Sequence, residues 1–185
     1  MAFVLDVQKD VYPPLPTTAE RAEKYVSELD VITSTAILNG FDYEIAGTTY
    51  HFSYGAEDQT NFAQANTSAA LSLQLGSTSM DILKAQFGTK ADGSLDTGAL
   101  PVPLPENWRM DWVGHLPDRS VTFSFSPKEY LALAGAAGAH NAGTLAAGRA
   151  LKAKLRAATS DAELDQFVKE NDIPAKYRTA IDANK

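Results

Sequence analysis

Along this chain the spacing of apolar residues switches between the helical and the strand period, and most switches fall beside a residue that ends an element. Thr17 and Glu20 have capping-box spacing, and Val26, Leu29, Ile32 and Ala36 then recur at helical intervals up to Asn39-Gly40, a left-handed stop. The spacing predicts a first helix over 18–38, although Val31-Ile32-Thr33-Ser34-Thr35 is rich in β-branched residues that disfavour helix. After Gly40 the period becomes two. Phe41, Tyr43 and Ile45 alternate with Asp42 and Glu44, and beyond Ala46-Gly47 the residues Tyr50, Phe52 and Tyr54 alternate with Thr49, His51 and Ser53. That is a hairpin with one aromatic face.

Phe62, Ala65, Ala69 and Leu73 mark an amphipathic helix over about 57–74, placed to lie across that face and closed by Gly76. A second hairpin follows, with Trp108, Met110 and Trp112 on one strand, a turn at Pro117-Asp118-Arg119, and Val121, Phe123 and Phe125 on the next. The two hairpins are expected to share one sheet. Between them, 77–107 is expected to hold one short helix at 79–87 and otherwise a loop rich in Gly, Asp and Pro. A loop of that length in a compact domain is usually functional or docked on a partner.

Ser126-Pro127-Lys128-Glu129 joins an N-cap, an N1 proline and a capping-box glutamate, which starts a long helix running to about 157. Ser160 with Glu163 opens a shorter helix to about 170, and Pro174 opens a last one to about 183. The expected fold class is α+β, a small antiparallel sheet of two hairpins packed against helices. Four segments make it up: an extended docking arm at 1–16, a helix at 17–39, a core domain at 40–158 with its long loop at 77–107, and a helical tail at 159–185. The arm rests on Val11-Tyr12-Pro13-Pro14-Leu15-Pro16, which excludes helix and favours extended polyproline geometry. Candidate partner-binding residues are Tyr12, Pro13, Pro14 and Leu15 in the arm and Leu100, Val102 and Leu104 in the loop, apolar side chains on segments without a core of their own.

Composition narrows the function classes. A chain of 185 residues that is 44 % hydrophobic can bury a core, and 16 basic against 23 acidic side chains argue against general nucleic-acid binding. Residues 1–139 carry a net charge of -9 and 140–185 one of +2, so the C-terminal part presents a different surface. No stretch has the roughly 20 apolar residues of a spanning helix, and the N-terminus lacks a basic region followed by an apolar one, so a soluble, unprocessed protein is expected. With no cysteine there is no thiol nucleophile and no thiolate metal site.

His51, His115 and His140 lie far apart and lack the spacing of zinc ligands, so no metal and no cofactor is expected. Asp92-Gly93-Ser94-Leu95-Asp96 matches a calcium loop only in part and reads as a turn. No nucleophile elbow, dinucleotide fingerprint or Walker loop occurs, and the acid pairs Glu57-Asp58 and Asp111 with Asp118 are ordinary in an acidic chain, so no catalytic residue is assigned. Arg149, Lys152, Lys154 and Arg156 read as a solvated face at the negative end of a helix. Tyr54 and Trp108 could serve a sugar but are expected in the core. Gly135, Gly138, Gly143 and Gly148 are the unusual feature. Each costs roughly 1 kcal/mol of helix propensity relative to alanine, a loss that close packing, within the domain or between copies, would offset.

Gly40-Phe41, Tyr43, Gly47, Tyr50-His51-Phe52, Asp58-Gln59 and Asn61-Phe62, followed by Trp112, Val121 to Phe125, the Ser126 cap, His140 and Leu155 to Ala162, resemble a small uncharacterised domain of tailed phages and prophages. The resemblance covers 40–75 and 108–164 and leaves out the arm, the first helix and 77–107. It implies a setting near tail-fibre and tail-tip genes and transfers no catalytic residue. The expected role is a structural component of a virion, at the tail, baseplate or tail-fibre attachment, made in the bacterial host cytoplasm. Its partners would be other tail, baseplate or fibre proteins and copies of itself, with no nucleic acid or membrane, and a host-surface glycan without support. The alternative is a tail-fibre assembly chaperone absent from the mature virion, and a tail-associated enzyme ranks last.

Overall fold

The computed structural model describes residues 15–174. Five helices and a four-stranded antiparallel sheet give an α+β fold: α1 (Thr18–Leu38), β1 (Phe41–Ile45), β2 (Thr48–Phe52), α2 (Ala56–Ser77), α3 (Met80–Phe87), β3 (Met110–His115), β4 (Ser120–Phe125), α4 (Pro127–Ala157) and α5 (Asp161–Glu170). The two hairpins do share one sheet, in the order β1-β2-β3-β4. The helix expected beyond Pro174 lies outside the described residues.

Local chemistry sets the element ends. Thr17 and Glu20 close the expected box at the start of α1, the Glu20 amide donating to Thr17 Oγ1 at 3.2 Å and the Thr17 amide to Glu20 Oε2 at 2.7 Å. Gly40 follows α1 at φ +103°, where a Cβ would stand 2.1 Å from the Phe52 carbonyl oxygen, so only glycine fits. Ala46 and Gly47 both take positive φ, making the tight two-residue turn that pairs Tyr43 with Tyr50 and Phe41 with Phe52. The second hairpin pairs Met110 with Phe125 and Trp112 with Phe123. One residue pair, His51 opposite His115, joins the hairpins.

The chain divides into two compact units. One holds the described residues up to Val31 and from Gly148 onward; the other is Ile32–Ala147. The division falls inside α1 and α4 and not where the periodicity changes, because a single uninterrupted helix can serve two cores. Tyr130, Leu133 and Ala137 of α4 belong to one core and Leu155 to the other.

In the Ile32–Ala147 unit, Phe41 and Phe52 of the sheet pack with Phe62, Ala65 and Ala69 of α2 and with the start of α4. Trp108 is buried there too, but precedes β3 instead of lying on it. Its amide donates to the Leu104 carbonyl in a turn, and its indole nitrogen donates to Ser68 Oγ at 2.9 Å. Tyr54 likewise lies beyond the end of β2, half-buried on Phe41 and Phe62. α2 runs through Gly76, which stays glycine-sized because a Cβ there would lie 2.4 Å from Pro105 Cγ. In the other unit Ala22, Tyr25, Val26 and Leu29 of α1 pack with Leu155 of α4 and with Leu164 and Val168 of α5.

Candidate contact surfaces

Of the residues expected to meet a partner, Tyr12, Pro13 and Pro14 lie outside the described residues, and Leu15 is 64 % exposed. Leu100, Val102 and Leu104 are half-buried. They pack against Leu75, Leu83 and Leu95, a small third cluster, so this loop does have a core. Two features build that cluster. A single bridge between Thr89 and Leu95, with the Asp96 amide donating to the Gly88 carbonyl, turns Leu95 inward. Ser72, a hydroxyl on the buried face of α2, donates to the Pro103 carbonyl at 2.8 Å and fixes the returning strand of loop. Leu100, Val102 and Leu104 also line a recess of about 330 Å³ with Asn107.

α3 presents a different surface: Leu83 points into the cluster, whereas Met80 and Ile82 stay exposed, Ile82 at 57 %. A groove of about 500 Å³ is lined by both edge strands, by Tyr43 and Ile45 of β1 and Phe123 and Phe125 of β4, with Lys128 and Glu129 at its rim. Glu129 is committed to capping. The Ser126 amide and hydroxyl donate to its Oε2 at 2.9 and 2.7 Å, bonds that hold its carboxyl below the ordinary range.

From its third turn on, α4 exposes several glycines and alanines. A Cβ added at Gly135, Gly138 or Gly143 would meet nothing within 4 Å outside the helix, and Ala139, Ala142 and Ala146 are exposed between and beyond them. The helix is continuous through all three glycines. Among the described residues, then, no close packing offsets the cost of these three, whereas Gly148, the fourth glycine of the expectation, is buried.

The side chains weighed for chemistry are mostly engaged structurally. Asp58 Oδ2 accepts from the Gly55 amide at 2.9 Å and caps α2. His140 Nε2 donates to the Ala36 carbonyl at 3.3 Å, and His115 Nδ1 bonds Ser120 Oγ at 2.9 Å. Arg156 makes two bonds to Glu23, Lys152 pairs with Asp30, and Lys154 stands over the Phe167 ring at 5.9 Å, so three members of the basic cluster tie α4 to α1 and α5 instead of standing free in solvent. Tyr130, buried with its hydroxyl donating to the Phe62 carbonyl, is pushed well above the ordinary phenol range by that burial. Among the described residues no three His, Asp or Glu side chains group to hold a metal ion, and no helix is long and apolar enough to cross a membrane.

Sequence reasoning missed Arg21. It is buried at the centre of a charge cluster, paired with Asp161 at 2.7 Å and with Asp165, while Thr18 Oγ1 donates to Asp161 at 2.8 Å. A lone arginine four positions before Tyr25 carried no signal that distinguishes it from a surface charge.

No curated protein and no solved structure matches the chain. A family model does match, over residues 20–169, and it runs through most of α1 and all of 77–107, the described segments that the resemblance read from single residues left out. By that span the chain belongs to the DUF4376 family, a domain of unknown function.

Proposed function

We propose that this chain is a structural component of a bacteriophage virion, at the tail, baseplate or tail-fibre attachment, and that it works through protein–protein contacts. The observation that carries the contact role is the bare face of α4. Gly135, Gly138 and Gly143 each cost about 1 kcal/mol relative to alanine in a helix interior, and among the described residues nothing stands within 4 Å of a Cβ at any of the three to offset it. A neighbouring helix or loop approaching the backbone there would. The phage setting is supported by the resemblance of the glycine-aromatic hairpin, the Trp112 strand and the alanine-rich helix to a domain of tailed phages.

The test is quantitative mass spectrometry of purified particles of a phage that encodes the chain, counting its copies against the major tail protein. Presence in a small fixed ratio is the expected result. The groove between β1 and β4 favours one second reading, an assembly factor that shelters an apolar segment of a fibre during its trimerisation. Absence from particles, with loss of fibres when the gene is deleted, overturns the first reading in favour of that one.

A further inference from the structure

His51 stands on the outer face of β2, away from the aromatic core, with both ring nitrogens engaged. Nδ1 lies 2.9 Å from Asp42 Oδ1 and Nε2 lies 2.8 Å from the Asn39 carbonyl oxygen. A backbone carbonyl only accepts, so Nε2 must donate; an ionised carboxylate only accepts, so Nδ1 must donate as well. A neutral imidazole carries a single N–H. The arrangement is therefore satisfied in full by the imidazolium alone, and loss of either proton turns a nitrogen lone pair onto an oxygen at hydrogen-bond distance.

The two acceptors belong to the connection from α1 into β1. Asn39 follows the last residue of α1, and its carbonyl is one of the unpaired oxygens at the negative end of that helix, which favours a cation. Gly40 is buried between the Phe52 carbonyl and the His51 ring, where even a Cβ would stand 3.0 Å from Nε2. We propose that His51 is a protonation-dependent clasp, which as an imidazolium pins the Asn39-Gly40-Phe41-Asp42 connection to the sheet and on deprotonation releases it. The device needs no ligand. It couples the order of the end of α1 to proton activity near neutrality, where histidine changes charge.

Each element packed against the ring contributes one group. β1 supplies the Asp42 carboxylate, which favours the cation; the end of α1 supplies the Asn39 carbonyl, which does the same. β3 supplies His115, directly opposite in the ladder, whose own Nδ1 bonds Ser120 of β4 and whose charge, when protonated, opposes a second cation. On β2 itself the neighbour on the same face is the uncharged Thr49. The balance favours the imidazolium: the Asp42 bond raises the His51 pKa above the ordinary 6.5, partial burial opposes this, and the Asn39 bond adds to the rise.

The experiment is an NMR titration of the full chain from pH 5 to 9, following the His51 ring nitrogens together with hydrogen-exchange protection of the Asn39 to Asp42 amides. The expected result is an imidazolium that persists past pH 6.5, with loss of protection tracking its titration. Asp42→Asn, which keeps the shape and removes the charge, should move the ring titration and the protection change together to lower pH. His51→Gln should abolish the pH dependence of protection. A His51 that titrates at or below 6.5, or protection that ignores its titration in both the wild-type and Asp42→Asn proteins, overturns the clasp.

Discussion

Each of the two compact units has a core of its own kind. The unit formed by the start of α1, the end of α4 and α5 has an aliphatic cluster around Leu29, Leu155, Leu164 and Val168, ringed by Arg21 with Asp161 and Asp165, Arg156 with Glu23, and Lys152 with Asp30. The Ile32–Ala147 unit stacks rings on rings, with Phe52 against Phe41, Phe123 and Phe125 and Phe62 against Trp112 and Tyr130. A sheet fixes strand register by its hydrogen-bond ladder, so its side chains are free to be apolar. Helices have no such ladder between them, and their register rests on interdigitated side chains, to which the charge pairs joining α1 with α4 and α5 add directed contacts.

That contrast fails unless truncation hurts most in the ring network. Phe52→Ala removes a fully buried ring touched by three phenylalanines and a tyrosine, and should cost about 3–5 kcal/mol in urea unfolding. A change near zero would mean that the sheet face is not the core. Arg21→Ala should cost less, about 3 kcal/mol, because it leaves Asp165 mostly buried without its cation while Asp161 stays half exposed to water. Arg21→Lys should recover only part of this, since a single ammonium cannot span both carboxylates with fixed fork geometry. Full recovery by lysine would reduce the cluster to unspecific charge. Gly138→Ala runs the other way. With open space at its Cβ it should stabilise the isolated chain by up to about 1 kcal/mol, read by the same unfolding measurement, and weaken incorporation into particles if a partner approaches that backbone.

How far each unit could be read from sequence follows from the same contrast. The hairpins and α4 were legible because their signals are local: Phe41, Tyr43 and Ile45 alternate with acids, and Ser126 caps its helix through Glu129 three residues on. α5 was legible through Ser160 and Glu163 for the same reason. Arg21 was not, since its partners Asp161 and Asp165 stand far along the chain, on α5, and no spacing rule reaches them. The 77–107 segment was legible as a helix and a loop, but its cluster was not, because Leu95, Leu100, Val102 and Leu104 inherit their common direction from a single bridge and from Ser72. Trp108 continues the alternation of Met110 and Trp112 backwards along the sequence, but the strand itself begins two residues later at Met110. The outward direction of His51 followed from strand alternation. Its clasp did not, since that needs the end of α1 folded back onto β2.

The smallest effect is the one that separates the units by sign. Asp161 accepts from Thr18 Oγ1 and faces Arg21, and these two interactions, the hydroxyl first, hold its carboxyl below the ordinary 3.8. A group whose folded pKa is depressed contributes stability that is present above its unfolded value and disappears as pH falls through its folded value. Asp161 therefore weakens its unit in acid, below about pH 4. His51 has the opposite sign: its raised value contributes stability that is present below 6.5 and lost as pH rises through the folded value. Acid sensitivity is shared, since Glu129 and Asp92 of the sheet unit are also depressed by hydrogen bonds. A loss toward alkaline pH belongs to His51. Melting curves from pH 2 to 9 for the wild-type, Thr18→Ala and His51→Gln proteins read both limbs. Thr18→Ala should flatten only the acid limb, by returning Asp161 toward its ordinary value, and His51→Gln only the limb above pH 6.5. If the acid limb of Thr18→Ala superimposes on the wild type, the hydroxyl does not tune Asp161, and the charge cluster acts through Arg21 alone.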